Sequence, residues 1–157
     1  MRRPTSSCQT LARIAALLLL AGCAGSRPAN LGVKAGRLAR CPRCSNCVSS
    51  QVAADSDCHV APLTLKTPAD TLPEPLLRAI SATPRTTIVT RRARYLHAEA
   101  RSRIFGFVDD LELVLDDDRR TVHLRSASRV GYSDFGVNRE RVEALRQTLA
   151  RQGLLAR

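Results

Sequence analysis

A chain of 157 residues, 44% hydrophobic, is long enough for one domain with a genuine core and too short for several. Its balance is strongly basic, 25 Lys and Arg against 14 Asp and Glu, which gives a formal net charge of +11. Such basicity often signals nucleic acid, but a chain with no tryptophan and 3% aromatic residues has little with which to stack bases. Anionic envelope surfaces, or plain solvation, account for the charge better.

The chain begins Met1-Arg2-Arg3, adds Arg13, and has no acidic residue before Asp55. Ile14 to Ala21 ("IAALLLLA") is apolar, and Gly22 and Cys23 follow. A basic head, a short apolar run and small residues make a secretory signal over residues 1–22; the run is too short to span a bilayer, which takes about 20 apolar residues. Leu20-Ala21-Gly22-Cys23 resembles the lipobox of bacterial lipoproteins, which implies cleavage before Cys23 and lipidation of that cysteine. Ala24, where an aspartate would suggest retention at the inner membrane, implies an anchor in the inner leaflet of the outer membrane, facing the periplasm. Arg2-Arg3 fits the twin-arginine route poorly.

Residues 23–40 hold Gly25, Ser26, Pro28, Asn30, Gly32 and Gly36 with little apolar periodicity, and read as a tether between lipid and domain. Cys41, Cys44 and Cys47 then fall two residues apart, with Cys58 and His59 further on. The run resembles an iron–sulfur spacing, and His59 could complete a zinc set; both need reduced thiolates, whereas an exported segment meets an oxidising compartment that favours disulfides. Four cysteines allow three complete pairings. A thioredoxin-like CxxC is disfavoured because no βαβ unit follows.

Val60 to Leu65 reads as a short strand. Pro73 to Ala82 reads as a helix, with Leu76, Leu77 and Ile80 on one face and prolines in the first turn. Thr86 to Thr90 is β-branched and reads as a strand. Three segments then alternate with period two: Tyr95 to Arg101, Phe107 to Leu115 and Thr121 to Ala127. In the first, Tyr95, His97, Glu99 and Arg101 oppose Leu96, Ala98 and Ala100, which predicts a sheet with one face buried and one solvated. "DDDRR" (Asp116 to Arg120) is a hairpin loop. A last helix starts near Asn138, a good N-cap, carries Val142, Leu145 and Leu149, and stops at Gly153. The pattern predicts the α+β class over residues 41–157, an antiparallel sheet of about four to five strands with helices packed on one face.

"CPRCSNCVSSQ" (41–51), "GFVDDLELVL" (106–115) and "RSASRVGYSDFGVN" (125–138) together resemble the bacterial and plastid family known as domain of unknown function 1499, over roughly residues 41 to 150. Its members share a CP-x-x-x-NCVSS opening and an RS-x-SR-x-GYSD-x-G-x-N-x-x-R run. The resemblance implies an exported or membrane-associated domain and no particular activity. The family opening has Cys41 and Cys47 but not Cys44, and a cysteine at Cys58 is not typical of it. The resemblance therefore implies a Cys41–Cys47 pair and a second, private pair of Cys44 with Cys58.

Arg125, Arg129, Arg139 and Arg141 cluster in sequence with Ser126, Ser128, Ser133 and Asn138 before a helix start, where free N–H groups favour anions. Arg129, Ser128, Ser133, Asn138 and Arg139 are the candidate anion-binding residues, because arginine forks take phosphate or carboxylate bidentately. The plain alternative is a structural ion network of Asp109, Asp110 and Asp134 with Arg125, in which Arg125 pairs with Asp109 or Asp110. For catalysis, Ser126, Ser128 and Ser133 offer hydroxyls and His97 and His123 offer bases, but "GYSDFG" is not a G-x-S-x-G elbow and both histidines fall on polar strand faces. A metal set of His97, Glu99, Glu112 and His123 depends on strand register. No catalytic residue, metal or cofactor is assigned. The expectation is a non-enzymatic module, held to the membrane by its lipid, that binds an anionic envelope ligand or partner and no nucleic acid; the alternative is a hydrolase or other enzyme using the Ser/Arg-rich loop 125–139.

Overall fold

In the computed structural model, which describes residues 25–156, the three alternating segments form the centre of an antiparallel sheet. The proposed signal (1–22) and Cys23 lie outside the described residues. The strands are β1 (Cys47–Ser49), β2 (Leu63–Thr64), β3 (Thr86–Arg91), β4 (Tyr95–Arg101), β5 (Val108–Leu115) and β6 (Thr121–Ser128). Their order is β1-β6-β5-β4-β3, and β2 also pairs with β6. Two helices complete the described elements, α1 (Glu74–Ser81) and α2 (Val137–Arg151). The fold is α+β, with six strands where four to five were expected. The added strand is β1, three residues and too short to show a period, while β2, of two residues, falls inside the expected strand Val60 to Leu65. They lie along one edge of β6, with Cys47 opposite Ala127 and Leu63 opposite Val122.

The apolar sets of the strands converge on one face. Leu96, Ala98, Leu111, Leu113, Val122 and Leu124 form a single buried cluster with Leu76, Ile80, Val142 and Leu149 from the two helices. Each buried leucine contributes about 1.5–3 kcal/mol, and the small Ala98 lets the helices approach the sheet. α1 starts after Pro73 and carries Pro75 in its first turn, where the missing N–H costs no helical bond.

The other face departs from expectation. Every residue of β5 is buried, as are Tyr95, His97 and Glu99 of β4. The expected tether is the reason, because residues 25–40 run along this polar face as a strap. Arg27 Nη2 meets Glu99 Oε1 at 2.6 Å, the Gly32 N–H donates to Glu112 Oε1 at 2.8 Å, and Leu38 packs with Tyr95 and Val114. Glycine and proline without periodicity resemble a linker in sequence, yet such a segment can lie flat on a surface when polar groups receive its backbone.

Candidate functional site

Register assigns the partners on the polar face. Arg125 stands opposite Glu112, and Asp110 stands opposite both Glu99 and Ala127. Arg125 therefore pairs with Glu112, Nη1 to Oε2 at 3.1 Å, both side chains being buried, and not with Asp109 or Asp110 as expected. Glu112 also accepts from the Tyr95 hydroxyl at 2.8 Å. Burial, with that carboxylate beside it, keeps the Tyr95 hydroxyl protonated well above the ordinary phenol range.

Arg129, just beyond β6, takes the central position. Its Nε and Nη2 donate to Asp110 at 2.9 and 2.7 Å, and Nη2 also reaches Glu99 Oε1 at 2.6 Å. His97 Nε2 lies 2.7 Å from the same Asp110 oxygen. The chain Arg27–Glu99–Arg129–Asp110–His97 is thus continuous. The Arg129 side chain is 6% exposed, so this expected anion ligand is instead the counter-ion of two carboxylates. Asp110, and then Glu99, raise the already high pKa of its guanidinium.

Burial by itself pushes Glu99 and Asp110 up, but hydrogen bonds from Arg129, with Arg27 on Glu99 and His97 on Asp110, outweigh it and hold both below the usual carboxylate range. A carboxylate lowered on folding stabilises the fold fully above its unfolded value, about pH 4, and loses that contribution as pH falls through the folded value. Thermal stability is therefore expected to be level down to about pH 5 and to decline below about pH 4. Asp110→Asn should start lower and decline less steeply; melts across that range check this, and an identical acid slope would contradict it.

On the helix-covered face, Asp109 pairs with Arg141 of α2 at 2.6 Å. Asn138 is buried and does not cap the helix. Gly136 is the N-cap, at φ 86°, and Asp134 Oδ2 accepts the Asn138 N–H at 2.9 Å. Asp134 thus has no arginine partner among the described residues; its negative charge sits at the helix N-terminus, where the dipole favours it. The Asn138 side chain accepts from Ser126 Oγ at 2.6 Å and donates to the Asn46 carbonyl and Ser128 Oγ. Ser133 Oγ accepts the Phe135 N–H. Arg139 donates to the carbonyls of Asp57 and His59, both at 2.7 Å. The five expected anion ligands are all engaged within the protein.

The cysteines form two disulfides, Cys41–Cys47 and Cys44–Cys58, which leaves no thiolate of these four for iron–sulfur or zinc. They frame Ser45 and Asn46, whose side chains donate to the carbonyls of Tyr132 and Gly131 at 2.5 and 2.7 Å. The NCVSS and GYSD motifs, far apart in sequence, are thus two sides of one contact. Of the considered metal set, His97 and Glu99 come together with Asp110 rather than with Glu112 and His123, their ligand atoms within 4.8 Å of one another; Arg129 already neutralises both carboxylates. His97 is buried rather than solvated, and His123 lies 3.2 Å from Ser50 Oγ.

Sequence reading missed a pocket. The loops 102–107 and 128–137 enclose about 370 Å³, lined chiefly by Ile104, Phe105, Phe107, Val130, Phe135 and Val137. Phe105 and Phe107 stack at 5.4 Å. Tyr132, beside the pocket, lies under the Arg43 guanidinium, 5.6 Å from the ring centre. The chain has three phenylalanines and two tyrosines, and four of these five rings stand at this one place, exposed. Phe135 is 93% exposed and held at φ 55°, a left-handed conformation that costs a bulky residue about 1–2 kcal/mol. An adjoining cleft of about 460 Å³ shares Arg103 with the pocket and adds Arg85, Arg101 and Glu140. Ser128 and Ser133 line the pocket, but no histidine does; His97 and His123 are on the opposite face of the sheet. The only sequence signal for the pocket was the clustering of scarce aromatics in two loops.

A family model described as a protein of unknown function (DUF1499) matches residues 37–149. Neither the curated proteins nor the solved structures contain a match to the chain.

Proposed function

The chain belongs to the DUF1499 family, and on that premise we propose that it is a non-catalytic, lipid-anchored envelope module that holds an anionic amphiphile. The single observation that carries the reading is the concentration of exposed aromatic rings around one apolar pocket beside an arginine-lined cleft. An acyl chain fits the pocket, whose size lies within the usual range of about 300–1,000 Å³ for ligand sites. The head group meets Arg85, Arg101 and Arg103, which replace Arg129 and Arg139 as the anion-binding residues. The lipobox-like Leu20-Ala21-Gly22-Cys23 supports the anchor, and the two disulfides suit an oxidising compartment. A hydrolase would need a free base beside Ser128 or Ser133; no histidine lines the pocket, and its carboxylates are engaged, Asp109 by Arg141 and Asp134 by the backbone and side-chain amides of Asn138.

Native mass spectrometry of the full chain purified from the envelope, with a long-chain fatty acid added as probe, is expected to show a one-to-one adduct. Phe105→Asp should reduce the bound fraction about 10- to 100-fold, the equivalent of one buried aromatic ring, without lowering the melting temperature. A wild-type chain that takes up no fatty acid at all would sink the reading.

A further inference from the structure

The described chain begins beside the pocket. A Cβ built on Gly25 would stand 2.9 Å from Arg129 Cβ and 3.0 Å from Val130 Cγ1, and Val130 lines the pocket wall. Cys23 is two residues earlier, and two residues span at most about 7 Å. An acyl group on Cys23 would therefore be tethered within that reach of Gly25, which stands against Val130 of the pocket wall, and Phe105, Tyr132 and Phe135 are exposed on the rim of the same pocket. The same rim carries exposed Arg43, Arg101 and Arg103. Exposed apolar rings, exposed arginines among them and a lipid tethered nearby suit a surface that settles into the interface of a bilayer with anionic head groups.

We propose that the loops 102–107 and 131–137 are the membrane-contacting face of the anchored domain: Ile104, Phe105, Tyr132 and Phe135 enter the head-group layer, the three arginines meet lipid phosphates, and the mouth of the pocket opens toward the bilayer that supplies its amphiphile. This rests on the lipid-anchor reading above and adds an orientation to it. The left-handed Phe135 fits this role, because the backbone there is held by Asp134 and Ser133 so that the ring projects outward instead of folding onto the core. A docked face also accounts for apolar side chains that a freely tumbling domain would leave in water.

The absence of tryptophan from the chain makes the test direct. The full chain carrying Phe135→Trp, and separately Phe105→Trp, is recovered from the membrane fraction and reconstituted in phosphatidylglycerol-rich vesicles with bromine-substituted acyl chains. Both emissions should shift to the blue and lose most of their intensity to bromine, whereas Val89→Trp, in β3 outside these loops, should emit as a solvent-exposed group. Emission from the two loop tryptophans equal to that of Val89→Trp would overturn the proposal. So would a blue shift without quenching, which would mean that a protein or a second copy covers the rim. If the protein is recovered without a lipid, the same vesicles are added to it in solution: quenching upholds the docking face while the anchor reading fails, and its absence overturns the docking face. The fatty-acid adduct is measured separately, so a positive adduct without quenching leaves the pocket reading intact and removes only the orientation.

Discussion

Arg129→Ala is expected to bring the domain close to unfolding. The substitution leaves Asp110 and Glu99 side by side beneath the strap, with His97 on Asp110, Arg27 on Glu99 and a longer 3.7 Å contact from Arg101 to Glu99 as the remaining offsets among the described residues. Breaking a buried pair in this way costs about 3–5 kcal/mol, against a total stability of about 5–15 kcal/mol for an ordinary domain. Arg129→Lys should recover only part of the loss, because an ammonium cannot span both carboxylates as the guanidinium fork does. Arg139→Ala is the contrast: Arg139 lies at the surface and holds two backbone carbonyls, so its removal should cost about 1 kcal/mol. Urea denaturation of the three variants measures the ranking. Equal losses for Arg129→Ala and Arg139→Ala would show that the buried chain of charges does not hold the polar face together.

Removal of both disulfides is expected to have an effect of similar size by another route. The bridges span 6 and 14 residues, and loop-closure entropy assigns them about 2 and about 3 kcal/mol. Within the segment they close, β1 is the one strand, Asn46 to Ser50 are buried, and the rest is loop. Because Ser45 and Asn46 support the carbonyls of loop 131–134, loss of the bridges should also loosen the pocket wall. Replacing all four cysteines with serine should lower the melting temperature and abolish the fatty-acid adduct, while Cys44→Ser with Cys58→Ser alone should remove about 3 kcal/mol. A quadruple variant that melts like the wild type would refute this.

The parts of the fold that were legible in sequence are those in which physical pattern and length coincide. β4, β5 and β6 have seven or eight residues each and alternate cleanly, and the leucine stripe of α2 has the helical period. β1 is too short to carry a period, and β2 keeps only two residues of the expected strand Val60 to Leu65; what defines both is the open edge of β6. The charge partners were hidden for a different reason. Proximity in the sequence points Arg125 to Asp109 or Asp110 on the hairpin partner, whereas in a sheet the partner is chosen by register, and register places Glu112 opposite. The burial of His97 and Glu99 was invisible because it depends on the strap, a segment without periodicity that comes from the far end of the chain. The pocket has no periodic sequence signature because exposed aromatics carry no pattern of their own; only their positions in space make them a site.

The long separation between the strap and its partners shapes how the molecule is assembled. Arg27 meets Glu99 across 72 positions, Gly32 meets Glu112 across 80, and Cys47 of β1 lies opposite Ala127 of β6. Synthesis delivers the N-terminal residues first, so the strap and β1 wait, unpaired, until nearly the whole chain has emerged. The hairpins β3–β4, β4–β5 and β5–β6 close local loops and can form early, whereas β1 and the strap close the longest loops and dock last, a high-contact-order step that slows folding. Through that interval the polar face of the sheet, with its row of carboxylates and arginines, is open to water and remains soluble. The apolar face, covered by helices that close shorter loops, is the one that must be hidden quickly.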